Sequence, residues 1–143
     1  MILETGYVYH IKNEYFDFVN DDKLMKNHEN GSTRPTYFCI KNDSSKILWF
    51  IPMSSKIEKY KKLRDEKIKK NGVCDTIVIG KYRGKEAAFL IQNIFPITEK
   101  YIDHIDVIRN QAVAVVEGTQ KDIINKVNRI FKLKKKRNKL HIP

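Results

Sequence analysis

Hydrophobic and polar residues alternate from residue 6 to 13, with Tyr7, Tyr9 and Ile11 set against Val8, His10 and Lys12. This two-residue period predicts a strand with one covered face. Tyr15, Phe16 and Phe18 then cluster within residues 14–19, as a short helical turn that tucks its rings onto a sheet would place them. Residues 20–33 turn polar and end in Gly31, Ser32 and Thr33, the composition of a mobile loop. Two apolar runs, 37–40 and 47–51, flank Asn42-Asp43-Ser44-Ser45 and predict a hairpin closed by turn-forming side chains. A second hairpin is expected from runs 76–79 and 87–94 around Arg83-Gly84-Lys85. Pro96 should end that pair, residues 98–110 fit no single period, and 112–116 reads as a further strand.

Two segments carry helical periodicity. Across residues 56–70, Ile57, Tyr60, Leu63 and Ile68 form a narrow apolar stripe among cations. Ser55 and Glu58 stand three apart as a capping box, which makes Ser55 the expected N-cap, and Asn71-Gly72 supplies a left-handed stop. Later, Thr119 and Asp122 precede Ile123, Ile124, Val127, Ile130 and Phe131, the spacing of a core-facing helix. A basic tail follows over residues 132–139. Four to six strands with two main helices predict one compact α+β domain over residues 1–143, built on a curled antiparallel sheet.

Charge sharpens this picture. The 143 residues hold 28 Lys plus Arg against 17 Asp plus Glu, a formal net charge of +11, with a pI near 9.6. Such an excess favours a polyanionic partner. No apolar run is long enough to span a bilayer and no basic amphipathic helix opens the chain, so nucleic acid is favoured over membrane. The start has no signal-peptide pattern and only Cys39 and Cys74 are present, which points to the cytoplasm with both thiols reduced.

The candidate chemistry lies at Trp49-Phe50-Ile51-Pro52-Met53-Ser54-Ser55-Lys56, where an apolar run stops and two hydroxyls open a basic helix. The N–H groups of a first helical turn and the positive end of its dipole suit a phosphate. Metal-free RNA cleavage uses the ribose 2′-OH as nucleophile, so a protein must align it, withdraw its proton and balance charge on the phosphorane. Ser55, or less directly Ser54, could accept or relay that proton with Lys56 lowering the cost. The four histidines are scattered and receive no role, and Glu99, Asp103, His104 and Asp106 read as a solvated acidic face. Trp49 reads as core. No metal or cofactor is implied.

In this order the residues resemble a known family. Tyr9-His10-Ile11, Tyr15, Arg34-Pro35 before Tyr37-Phe38, the 49–56 segment, Cys74-Asp75-Thr76-Ile77-Val78 and Phe89-Leu90-Ile91-Gln92-Asn93-Ile94-Phe95-Pro96 are together similar to the RNA-cleaving toxins of type III toxin–antitoxin systems. These form the ToxN and AbiQ group, and the CptN subgroup looks closest. The resemblance implies an SH3-like barrel of the Kid and MazF type. It also implies an endoribonuclease toxin that cuts mRNA to leave a 2′,3′-cyclic phosphate and a 5′-OH, and serves abortive infection. Its inhibitor would be a small structured RNA made of repeats, with which it would assemble into closed rings. The family's hydroxyl pair falls on Ser54 and Ser55, and its N-terminal tyrosine on Tyr15, which could orient phosphate or stack on a base. Thr36 stands where the family has a lysine after Pro, and Arg34 is the candidate in its place. RNA-binding candidates are therefore Arg34, Lys41, Lys59, Lys61, Lys62, Arg64 and Lys67. The other reading is a non-catalytic RNA-binding module that uses the same basic groove.

Overall fold

The computed structural model describes residues 3–19, 28–29, 32–42 and 44–141. Strands β1 (Val8–Ile11), β4 (Pro35–Lys41), β5 (Leu48–Ser54), β6 (Ile77–Tyr82), β7 (Lys85–Leu90), β8 (Phe95–Ile97) and β9 (Ile102–Ile105) form one seven-stranded sheet. Every ladder in it is antiparallel, in the order β6-β7-β5-β4-β1-β9 with β8 added to β5. The helices are α1 (Asn13–Val19), α2 (Ile57–Asn71) and α3 (Glu117–His141). The architecture is α+β, as the patterning predicts. Among the described residues no ladder joins β6 to β9, so the sheet stays open.

Both expected hairpins form, the first through β4 and β5 and the second through a two-residue turn at Arg83-Gly84. The short helix α1 and the stop at Gly72 also stand where the sequence puts them. Gly72 sits at φ 81°, and its N–H bonds the Ile68 carbonyl, a left-handed C-cap that a Cβ would disfavour. Of the polar stretch 20–33, most lies outside the described residues, while β2 (His28–Glu29) and β3 (Ser32–Thr33) pair with each other.

Several expectations are corrected. Strand β1 has both faces covered, not one. Val8 joins Tyr37, Ile51, Met53, Val78 and Phe89 in a core capped by Ile123 and Val127 of α3. Tyr9 and Ile11 join Phe38, Phe50, Phe95 and Tyr15 on the other side. A curled sheet with α3 on one face and α1 on the other buries alternate residues in different cores, so a period of two does not imply a wet face. The second hairpin ends at Leu90, before Pro96, and Pro96 itself lies within a further strand, β8, opposite Trp49. Because β8 pairs only with β5, it is an edge where a missing N–H costs no ladder bond. The run 87–94 divides into β7 and a 3-10 turn at Ile91–Asn93. Residues 113–116 form no strand; instead β10 (Val107–Ile108) and β11 (Gln111–Ala112) make a small separate hairpin.

The helices α2 and α3 pack on different parts of this frame. Tyr60 of α2 is buried with Cys74, Ile77, Ala88 and Leu90, and Ile57 and Leu63 flank it. Ile68, expected in that stripe, is exposed. Helix α3 begins two residues before Thr119 and continues through the basic tail, whose side chains from residue 133 onward lie outside the described residues. Its Ile124, Ile130 and Phe131 pack on the first core as predicted, and Phe131 meets the half-buried Trp49 edge-on at 5.3 Å. At Gly80 of β6 a Cβ would come within 2.5 Å of the Thr119 side chain, so the absent side chain is what lets α3 approach.

Candidate functional site

Strand β5 changes partners along its length. Leu48, Trp49 and Phe50 pair with β8, whereas Met53 and Ser54 pair with Phe89 and Ala88 of β7. Pro52, which has no N–H to offer another ladder, stands at the change. Ser54 is buried, and its hydroxyl accepts the Lys56 N–H at 3.1 Å. This side-chain turn replaces the expected capping geometry. Lys56, not Ser55, is the N-cap of α2, and its side chain makes no capping bond. The Ile57 N–H bonds the Ser55 carbonyl at 2.8 Å. Two backbone donors of the corner are therefore engaged within the chain, while Ser55 and Lys56 themselves are exposed.

Arg34 reaches the same corner from the start of β4. It is buried at 8% exposure, and its Nη1 donates to the Met53 carbonyl at 2.9 Å. The register explains the meeting. Thr36 lies opposite Pro52, so the residues just before β4 lie beside the last residues of β5. The fold thus brings the Arg34 guanidinium to the strand end that leads into Ser54, Ser55 and Lys56.

Tyr15 and Lys41 stand elsewhere. Tyr15 is buried in the second core, packs against Phe16, Phe95 and Tyr101, and donates its hydroxyl to the Pro96 carbonyl at 2.6 Å. Lys41 is exposed at the far end of β4, about 20 Å along the strand from Arg34. On α2, Lys61 pairs with Glu86 at 3.0 Å, Arg64 with Asp65 at 3.1 Å, and Lys67 donates to Thr76 at 2.6 Å. Lys59 lies 5.2 Å from the Tyr60 ring, and Lys62 is exposed.

One cluster was not legible in the sequence. Asp106, expected on a solvated face, keeps only 12% of its side chain exposed. Its Oδ1 lies 2.8 Å from His10 Nε2, while Oδ2 accepts the Tyr82 hydroxyl at 2.6 Å and Arg83 Nη1 at 3.3 Å. His10 in turn stacks on His104 at 4.5 Å, so two of the scattered histidines meet. Burial pushes the Asp106 carboxyl up, yet the His10 and Tyr82 hydrogen bonds and the nearby charges outweigh it and hold it below the usual range. Burial, then the bond to Asp106, raises the Tyr82 phenol well above its ordinary value. His10 lies opposite His104 and Pro35 in one transverse row of the sheet.

No protein-family model matches the chain, and no curated protein matches it. Among the described residues no helix is long and apolar enough to cross a membrane.

Proposed function

We propose that this protein is a metal-independent endoribonuclease that cleaves single-stranded RNA at the corner between β5 and α2. The observation that carries the reading is the exposed Ser55-Lys56 pair beside the Arg34 guanidinium fixed on the Met53 carbonyl. Ser55 accepts or relays the 2′-OH proton, and Lys56 lowers the cost of that charge. The O2′ then attacks phosphorus as the P–O5′ bond breaks, and the departing O5′ takes up a proton returned through Ser55 or from solvent, leaving a 2′,3′-cyclic phosphate and a 5′-OH. Arg34 stabilises the nonbridging oxygens. Ser54 acts as the positioning hydroxyl, since it holds the Lys56 backbone. Tyr15 supports the site through β8 by way of Pro96.

The resemblance to the ToxN and AbiQ toxins supports the same reading. It brings with it an SH3-like barrel of the Kid and MazF type, an mRNA substrate in the cytoplasm, and inhibition by a small repeat-encoded RNA in a closed ring. Side chains of β9, β1, β4, β5 and β8 meeting in one core fit such a curled barrel. A second reading, an RNA-binding module without turnover, is favoured by the buried Ser54 and by the two engaged N–H groups of the corner. Incubation of purified protein with mixed RNA in EDTA separates the two. Ser55→Ala should abolish cleavage while leaving RNA affinity within about twofold; undiminished turnover in that variant rejects the assignment.

A further inference from the structure

The structure sorts the cations of α2 into two groups. Lys61, Arg64 and Lys67 are spent on Glu86, Asp65, and Thr76 with Gln92. Lys56, Lys59, Lys62, Lys69 and Lys70 are exposed and make no ion pair among the described residues. These five stand in two sets, 56–62 and 69–70, with the exposed acids Asp65 and Glu66 between them. From Lys62 to Lys69 the helix climbs about 10 Å, and from Lys56 to Lys70 about 20 Å. A shallow cleft of about 510 Å³ runs along this face, lined by Glu58, Lys61, Lys62, Asp65, Glu66 and Lys69.

The composition of this face selects among polyanions. Non-specific single-strand binders stack bases on exposed aromatics. Tyr60 is the one aromatic residue of α2, and it is buried. An A-form duplex needs no such platform, because it is held by its phosphates and by 2′-hydroxyls across a wide, shallow minor groove. Two lysine sets about 10 Å apart match two backbone ridges, and the carboxylates between them are acceptors for 2′-OH donors. The same carboxylates would repel a lone strand laid flush along the helix.

We infer that α2 docks across the minor groove of a base-paired RNA, with Lys59 and Lys62 on one backbone ridge and Lys69 and Lys70 on the other, while Lys56 stays with the cleavage corner. The inference rests on the RNA reading above and assigns α2 to a folded RNA rather than to the strand being cut. Asp65 and Glu66 distinguish RNA from DNA there.

Fluorescence anisotropy tests this with three probes: an RNA duplex of about 16 base pairs, the same sequence as DNA, and an oligouridylate of similar length. The wild-type protein should bind the RNA duplex more tightly than either other probe. Combined Lys59→Gln, Lys62→Gln, Lys69→Gln and Lys70→Gln should weaken duplex binding at least about tenfold and reduce the slope of log affinity against log salt by about 3.6. Lys61→Gln with Arg64→Gln and Lys67→Gln should leave that slope unchanged. Should the fourfold variant not fold, Lys62→Gln and Lys69→Gln singly should each remove about one unit of slope.

An unchanged slope in the exposed-lysine variants, or a preference for oligouridylate or DNA over the RNA duplex, overturns the docking. Retention on phosphatidylserine vesicles with no RNA duplex binding would assign the face to a membrane instead. Cleavage of a short single strand in EDTA, lost in Ser55→Ala, is read alongside. If it persists while the duplex result fails, only the α2 assignment falls, and if no RNA is bound or cut, both do.

Discussion

The Tyr82 hydroxyl donates to Asp106 Oδ2 at 2.6 Å, and this bond ties the end of β6 to the segment that follows β9. Those strands are the two ends of the sheet, and no ladder joins them among the described residues. Asp106 also holds His10 of β1 and Arg83 of the β6–β7 turn, and its own N–H bonds the Val8 carbonyl. A single carboxylate thus closes with side chains what the backbone leaves open.

Tyr82→Phe should lower stability by about 1.5–3 kcal/mol, because a buried bond to a charged acceptor is lost. The pH profile carries a sign on each side. The folded Asp106 carboxyl lies below its ordinary 3.8, so its stabilisation is present above that value and is lost as pH falls through the lower folded pKa. The Tyr82 phenol is raised above 10.0, so above that pH the unfolded chain releases a proton that the folded chain keeps, and stability falls. Urea denaturation across pH should show both limbs, with the alkaline limb shallower in Tyr82→Phe. Tyr9 and Tyr37, raised chiefly by burial, should sustain the remainder.

Arg34→Ala removes the donor to the buried Met53 carbonyl. A loss of about 1–3 kcal/mol is expected from that unpaired group alone. Single-turnover cleavage should fall about 10²–10³-fold if the guanidinium also faces the phosphorane. Arg34→Lys should recover much of the stability but little of the rate, because an ammonium cannot hold the carbonyl and a phosphate oxygen in one fork. Equal recovery of both quantities would place Arg34 in a purely structural role.

Ser54 and Ser55 should separate cleanly despite being neighbours. Ser54→Ala loses the acceptor of the Lys56 N–H and should cost about 0.5–1.5 kcal/mol. It should slow cleavage by less than about tenfold, since a buried positioning hydroxyl does not meet the 2′-OH. A rate loss in Ser54→Ala as large as in Ser55→Ala would move the reacting hydroxyl to Ser54.

Gly80→Ala should destabilise by about 1–3 kcal/mol through overpacking against Thr119. Combining it with Thr119→Ala should restore part of the loss, with a coupling above about 0.5 kcal/mol in a double-mutant cycle. Strict additivity of the two changes would show that α3 docks without this contact.

Much of this structure could be read from the chain because the signals involved are local. The turn residues between β4 and β5, the Gly72 cap and the Ile123-to-Phe131 stripe each act over a few positions. The serine corner was legible for the same reason, since Ser54, Ser55 and Lys56 are consecutive. Its capping box was misread because two arrangements compete within the same few residues. The Ser54 hydroxyl takes the Lys56 N–H and moves the cap one residue on. Pro96 was read only as the end of the second hairpin and its own strand β8 was missed, because whether a proline can sit in a strand depends on whether another strand lies on that side.

Order in sequence, then, determined which segments extend or coil, where they stop, and that the surface carries a large positive excess. Tertiary structure alone decided which of those cations stay available, that Arg34 meets the end of β5, and that His10, Tyr82 and Arg83 share the Asp106 carboxylate. Periodicity and turn chemistry are properties of neighbouring residues, whereas strand register and helix docking join residues as far apart as Gly6 and Val115, whose N–H bonds the Gly6 carbonyl, and no short window of sequence contains both partners.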